Sequence, residues 1–185
     1  MSEALTPDPA LKIAQLGNPI LRQVAQPIEQ IQDDRLQALI DQLLSLLSDS
    51  NGVGIAAPQV AASCRLLIVA SRPNARYPNA PLMSPTVMIN PQIVGQSSTV
   101  VKDWEGCLSV PGIRGLIPRY QEIEVEYLDR SGQLTRQQLS GFVARIFQHE
   151  FDHLNGLVFL DRLESLQEII TDQEYLSRIV GIQPA

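Results

Sequence analysis

The 185-residue chain is poor in cysteine, in aromatic residues and in basic charge. Its two cysteines, Cys64 and Cys107, are too few for a disulfide framework, so each is better interpreted as a reduced thiol or a metal ligand. Aromatic residues make up 5% of the chain, and 20 acids against 14 bases give a net charge of −6. This balance argues against a nucleic-acid-binding domain, and no direct nucleic-acid motif occurs.

Long apolar runs are also missing. No run approaches the roughly 20 residues of a membrane-spanning helix, so we expect no membrane partner. The opening segment, MSEALTPDPALK, lacks the basic and apolar regions of a secretory signal, and we therefore expect a cytoplasmic protein. The length suits one domain with a buried core, so residues 1–185 are predicted to form a single domain with a loose arm at 1–10.

The apolar patterns predict an α+β fold. Leucine and isoleucine at helical spacing indicate an amphipathic N-terminal helix from Asp33 to Asp49. Short β-like runs follow it, with a proline-rich exposed loop at 71–85 and a predicted hairpin; these runs are residues 65–70, 86–90, 92–101, 122–127 and 133–139. Two further helices are expected, from Gly141 to Asn155 and from Leu163 to Val180. We predict antiparallel sheets packed around the first of these two, with the other as a C-terminal helix.

The two histidines of the chain lie four residues apart in the motif HEFDH, on the predicted central helix. Residues at this spacing share a helix face, so His149 and His153 can bind one metal ion. Glu150, between them, would lie beside that metal, where it can take a proton from water. The alternative is a pair of histidines that only pack in the core. It is disfavoured because a glutamate is rarely found on the buried face of a helix without a partner or a function.

A catalytic site of this kind needs a third protein ligand and an open position. Metzincins would place a histidine six residues after His153, and that position holds Phe159. Two candidates stay open on the residues alone. Cys107 in EGCLS would offer a thiolate from a bent loop, whereas Glu174 lies at a spacing close to that of thermolysin-like enzymes.

The segment GVGIAAPQ (52–59) formally matches the dinucleotide fingerprint GxGxxA. It follows a helix instead of a strand, and Pro58 would break the helix that the fingerprint requires. We interpret it as a segment with free backbone N–H and C=O groups, suited to pair with an extended peptide as an added strand. The alternative is a glycine helix stop that leads into a strand.

Taken in order, GVGIAAPQ, EGCLS and HEFDH resemble the three signature motifs of bacterial-type peptide deformylases, and the resemblance extends over roughly residues 13–163. It implies a metal-dependent hydrolase that removes the N-formyl group from the formyl-methionine of nascent polypeptides and releases formate. It implies that the metal is held by Cys107, His149 and His153, with water in the fourth place, and so favours Cys107 over Glu174. Further implied roles are general base and proton donor for Glu150, and oxyanion donors for Gln59 and the backbone N–H of Leu108.

A formyl-methionine substrate needs an apolar pocket for its side chain. Phe142 and Ile146 lie on the same helix face as His149, so periodicity predicts one wall of that pocket. The resemblance adds further substrate-binding residues, namely Val53, Gly54, Glu105 and the stem of Arg145. We also expect Glu105, the glutamate of EGCLS, to pair with Arg114 or Arg119.

The metal and the partners are less closely defined by the sequence. One thiolate and two imidazoles would accept Fe²⁺, Zn²⁺, Ni²⁺ or Co²⁺, and the resemblance implies Fe²⁺ in cells. Residues 161–185 carry five acids and two arginines, so we expect any transient ribosome contact at Arg72 and Arg76 of the proline-rich loop instead. The alternative is that these are two solvated arginines of an exposed loop. The alternative functions are a zincin-type metallopeptidase that uses Glu174, and a non-enzymatic module with a structural metal, which would need four ligands.

Overall fold

The computed structural model describes residues 11–50 and 52–182, and the predicted arm at 1–10 lies outside them. The described residues form three α-helices and eight strands, in the order α1 (Asp34–Asp49), β1 (Gly54–Ala56), β2 (Leu66–Ser71), β3 (Met83–Gln96), β4 (Val100–Cys107), β5 (Val110–Tyr120), β6 (Glu122–Leu128), β7 (Leu134–Ser140), α2 (Gly141–Leu154), β8 (Ile169–Thr171) and α3 (Asp172–Tyr175). A π-helical turn, Leu176–Val180, extends α3, and single 3₁₀ turns lie at Pro19–Arg22, Ala57–Val60, Phe159–Arg162 and Leu166–Glu168.

The strands form two antiparallel sheets. One has five strands in the order β1-β2-β3-β6-β7, and the other has three in the order β4-β5-β8. The predicted hairpin is β6–β7, in which Glu122 pairs with Ser140 and Leu128 pairs with Leu134. The predicted α+β class is confirmed. Across the described segments, no helix combines the length and the apolar character that crossing a membrane requires.

The five-stranded sheet is covered by a helix on each face. In β2, Leu66 and Ile68 pack with the apolar stripe of α1, whereas Leu67 and Val69 pack with α2. This follows from the period-two alternation of a strand, and it explains why β2 is apolar at consecutive positions. Asp33 caps α1, since its side chain accepts a hydrogen bond from the Arg35 backbone N–H at 2.8 Å.

Helix α2 is buried around most of its circumference, as predicted, and it lies between the two sheets. The helix ends at Leu154, two residues before Gly156, which has a left-handed backbone conformation (φ +73°). A Cβ atom at Gly156 would lie 2.9 Å from the backbone of Arg22, so only glycine fits this crossing. The end of the motif-bearing helix is thereby fixed against the N-terminal part of the chain.

The C-terminal helix is present, but the prediction that it begins at Leu163 was wrong. Residues Ile169–Thr171 form β8, which pairs with Ile113–Gly115 of β5. Three consecutive β-branched residues favour a strand when an edge is available to pair with. Helix α3 begins at Asp172, because the Thr171 hydroxyl accepts a hydrogen bond from the Glu174 backbone N–H at 3.2 Å.

Two strands also differ from the prediction. The runs at 86–90 and 92–101 were expected to be separate strands, but Met83–Gln96 is one strand whose register shifts between Ile89 and Gln92, at Pro91. Strand β5 was not predicted, because Pro111 and Pro118 resemble loop residues. It forms a hairpin with β4 in which Cys107 pairs with Val110, so that cysteine lies at a tight turn.

Candidate active site

Helix α2 and the β4–β5 turn bring three metal-binding side chains together. The ligand atoms of Cys107, His149 and His153 all lie within 4.8 Å of one another. Cys107 Sγ is 3.3 Å from His153 Nε2. The two imidazoles share a helix face, with ring centroids 5.2 Å apart. This cluster is therefore assembled from one helix and one hairpin turn that are about 40 residues apart in the sequence.

The donor set suits a divalent metal ion. Within the described residues, this cluster holds one thiol and two imidazoles and no fourth ligand, which is the pattern of a catalytic site with an open position. Buried Oε2 of Glu150 and buried Nδ1 of His153 have no hydrogen-bond partner among those residues. An unpaired buried polar atom is costly, which indicates that Glu150 Oε2 has a partner that these residues do not supply.

Glu174, the rival third ligand, lies elsewhere. It is in α3, its side chain is half exposed, and it pairs with Arg178 at 3.7 Å. It is not part of the cluster of metal-binding atoms. The other cysteine, Cys64, is packed in the core under α1, where burial raises the pKa of its thiol to about 12. A thiol in this environment stays protonated and is a poor ligand.

Glu105 connects the cluster to a buried network of charges. Its carboxylate is 2.9 Å from His149 Nδ1 and accepts two hydrogen bonds from Arg119, at 2.9 and 3.0 Å. Arg119 also donates to Asp152 at 2.6 Å. Burial opposes ionisation of Glu105, but Arg119 and His149 hold the pKa of this carboxyl below its ordinary value. A charged Glu105 orients His149 so that its other nitrogen faces the cluster. The expected pairing with Arg119 is confirmed.

Arg145 was expected to contribute its stem to the pocket, and its guanidinium has a further set of contacts. Nη1 donates to Glu105 at 2.9 Å and to the carbonyl oxygen of Ile117 at 2.8 Å. Nη2 donates to the carbonyl oxygen of Val101 at 2.6 Å. Arg145 therefore connects α2 to both strands of the β4–β5 hairpin. No local signal predicts these contacts, because they depend on which carbonyls the fold brings to one point.

Glu150 lies in a closely fitted position against β1. Burial raises the pKa of its carboxyl to about 7, and the opposing effect of His149 is smaller. A Cβ atom at Gly54 would lie 2.5 Å from Glu150 Oε1 and 2.8 Å from Ile146 Cγ2. Gly54 is therefore the residue that leaves room for the carboxylate.

Gln59 faces the cluster from the 3₁₀ turn after β1. Its Oε1 accepts a hydrogen bond from the Ala56 backbone N–H at 2.9 Å. This bond fixes the amide so that Nε2 points to Ser109 Oγ at 3.3 Å and to Cys107 Sγ at 3.5 Å. The amide N–H group is thus held beside the candidate metal ligands, where it can donate to a ligand.

A cleft opens beside the cluster. Of the twelve residues that the sequence analysis assigns to the site, His153 alone is outside the lining; the other eleven line the cleft, namely Val53, Gly54, Gln59, Glu105, Cys107, Leu108, Phe142, Arg145, Ile146, His149 and Glu150. Other lining residues were not assigned to the site from the sequence, among them Tyr77, Trp104 and Asp172, and Arg114 was named only as a possible partner of Glu105. Trp104 adjoins the EGCLS motif and could have been noticed there, whereas Tyr77 and Asp172 carry no signal in their local sequence.

Two histidines of one helix, a cysteine from a neighbouring hairpin and a buried glutamate in a cleft are together typical of a mononuclear metallohydrolase. The model of the polypeptide deformylase family matches residues 10–168. A peptide deformylase 2 of Nostoc sp. is 64% identical over 165 residues, which cover 89% of this chain and 92% of that protein. The chain belongs to the peptide deformylase family, whose members are metal-dependent enzymes.

Solved structures agree with this assignment. A class I type b peptide deformylase from Acinetobacter baumannii, with Met-Ala-Ser bound, has a TM-score of 0.81 and 46% identity, and the alignment covers 83% of this chain and 98% of that one. A peptide deformylase from Synechococcus elongatus in complex with actinonin has a TM-score of 0.77 and 35% identity, with 91% and 86% covered. At these identities the likeness extends beyond the fold.

Proposed function

We propose that this protein removes the N-formyl group from the formyl-methionine of nascent polypeptides and releases formate. The observation that carries the proposal is the cluster of Cys107, His149 and His153 beside the buried carboxyl of Glu150, at the wall of a cleft. When bound there, a divalent metal lowers the pKa of water so that hydroxide is available near neutral pH. Because such substrates arise at the ribosome, we place the activity in the cytoplasm.

We assign the proton transfers to Glu150. Its Oε2 atom is buried and has no hydrogen-bond partner among the described residues, which suits a base that takes a proton from the attacking water. The same carboxyl then gives the proton to the leaving amine. Gln59 Nε2 and the backbone N–H of Leu108 are the assigned donors to the oxyanion, and each such donor is worth about 3–4 kcal/mol in the transition state. The bond from Ala56 to Gln59 supports this, since it aims the amide N–H into the cleft.

The methionine side chain is assigned to the apolar part of the cleft. Phe142 and Ile146 of α2 belong to the same hydrophobic cluster as Val53, and all three residues line the cleft. Arg145 and Glu105 would form the polar floor, with their charges satisfied by each other and by Arg119. The peptide that follows would pair with β1, which is the edge strand of its sheet.

The native metal is proposed to be Fe²⁺, as the family resemblance implies, although the donor set would also accept Zn²⁺, Ni²⁺ or Co²⁺. A transient ribosome contact is proposed at the loop that carries Arg72 and Arg76. These side chains also donate to the carbonyl oxygens of Ser48 and Ser50, at the end of α1. Co-sedimentation with ribosomes at low salt tests this contact, which should be lost in the double variant Arg72→Ala plus Arg76→Ala.

The proposed function is tested with formyl-methionyl peptides. Anaerobically purified protein should release formate, and metal analysis should find about one equivalent of metal. Cys107→Ala should lose both the metal and the activity, because it removes one of three ligands. The matched variant Cys64→Ala should keep both. A Cys107→Ala protein with full metal content and full activity would refute the assignment and reopen the case for Glu174 as a ligand.

A further inference from the structure

Arg114 of β5 is the centre of a cluster at the cleft that the deformylation steps do not use. Its side chain is 2% exposed. Nε donates to Asp172 Oδ1 at 2.8 Å, and Nη1 donates to the Tyr77 hydroxyl at 2.9 Å. The guanidinium carbon lies 4.2 Å from the ring centroid of Tyr175 and 5.4 Å from that of Tyr77. Arg114 is therefore held from two sides, by segments that are far apart in the sequence.

The cluster lies next to the candidate metal site. The guanidinium covers the backbone of Gly106, since a Cβ atom there would be 3.2 Å from Arg114 Cζ. Gly106 directly precedes Cys107. On the other side, the Tyr77 ring packs on Phe142 with centroids 4.9 Å apart. Arg114, Tyr77 and Asp172 line the same cleft as the proposed catalytic residues.

The C-terminal segment, defined as residues 169–180, holds this cluster in place. Its strand β8 pairs with Ile113–Gly115 of β5, a stretch that has Arg114 at its centre. Its helix α3 supplies Asp172 and Tyr175, and the Tyr175 hydroxyl donates to the carbonyl oxygen of Arg76 at 3.1 Å. The segment thus joins β5 to the proline-rich loop and forms part of the cleft wall.

The chemistry of this wall suits a peptide backbone. Among the described residues Arg114 Nη2 makes no hydrogen bond, so it keeps a strong donor, and a peptide carbonyl is a matching acceptor. Asp172 has a half-exposed side chain that cancels the charge of Arg114. A neutral pair of this kind favours neither acidic nor basic side chains, whereas the carbonyl oxygen is present in every substrate chain.

We propose that Arg114 and Asp172 form a charge-neutral subsite for the residues that follow formyl-methionine. Arg114 donates to a peptide carbonyl oxygen of the substrate, and Asp172 is a positioning residue that also cancels the arginine charge. This subsite rests on the proposed deformylase function. It would let one cleft accept nascent chains whatever the charge of their second residue.

The test compares formyl-Met-Glu-Ser with formyl-Met-Lys-Ser. In the unaltered protein the two values of kcat/KM should lie within about threefold of each other. Asp172→Asn unmasks one positive charge, so the Glu-to-Lys ratio should rise about fivefold at low salt, mainly through KM. The rise should shrink at 1 M salt, where the charges are screened.

Two matched variants distinguish the charge from the fold of the segment. Asp172→Glu keeps the charge and should restore the ratio of the unaltered protein. Glu174→Gln removes an acid from the same helix, on a side chain that pairs with Arg178, and should leave the ratio unchanged. A ratio unmoved by Asp172→Asn, an equal shift in Glu174→Gln, or a strong bias in the unaltered protein would overturn the subsite alone. If the unaltered protein hydrolysed neither of the two peptides, the proposed function would be overturned as well.

Discussion

Gly54 is the position where one added methyl group should be most damaging to activity. In Gly54→Ala, the new Cβ would lie 2.5 Å from Glu150 Oε1, 2.8 Å from Glu150 Cγ and 2.8 Å from Ile146 Cγ2. Separations below about 3 Å do not persist in a packed interior, so these side chains must move. Both belong to α2, which is packed between the sheets, so the carboxylate is expected to shift by about 1 Å.

A displacement of this size can be converted into a rate. A reacting group misplaced by about 1 Å costs roughly 10²-fold, and complete loss of a general base costs roughly 10²- to 10⁴-fold. We therefore expect kcat/KM of Gly54→Ala to fall at least about 10²-fold. Overpacking should also lower the free energy of unfolding by about 1–3 kcal/mol.

The assay is formate release from a formyl-methionyl peptide, with metal content and urea unfolding measured on the same preparation. Gly95→Ala in β3 is the control, since its nearest contact would be the Glu124 Cβ atom at 3.3 Å, away from the cleft. That variant should keep its activity. Full activity in Gly54→Ala would show that Glu150 either does not need its position or is not the base.

Two further predictions follow from the site. Glu105→Gln removes the charge that faces Arg119, Arg145 and His149, so the free energy of unfolding should fall by about 3 kcal/mol and metal affinity by roughly 10- to 100-fold. The control Glu124→Gln, in the exposed pair with Arg136, should cost less than about 1 kcal/mol, and equal losses would refute the buried-network argument. If the native metal is Fe²⁺, activity should decay in air through oxidation of the thiolate of Cys107, and Ni²⁺-loaded protein should stay active; equal decay would contradict this.

Local patterns predicted the parts of the site that lie on one element. His149, Glu150 and His153 share one helix, so their relation follows from helical spacing alone. The third proposed ligand, Cys107, did not follow from spacing, because it lies on a hairpin about 40 residues away, and only the family resemblance favoured it over Glu174. The structure adds the distances, in particular the close approach of Gly54 to Glu150.

Non-local pairing accounts for the errors. Residues 163–171 have an apolar pattern that suits a helix, yet Ile169–Thr171 became a strand because the edge of β5 was free to pair. Strand β5 itself was not predicted, because its two prolines are typical of loops. The same pairing brings Asp172 to Arg114, so the outer wall of the cleft could not be predicted from either segment by itself.

The central claim is that Glu150 performs the proton transfers at a metal held by other side chains, and Glu150→Gln tests it most directly. The glutamine keeps the shape of the side chain but cannot act as a base. Metal content and kcat for formate release are measured on the same sample. We expect the metal to be retained while kcat falls by roughly 10²- to 10⁴-fold. An unchanged kcat, or loss of the metal from this variant, would contradict it.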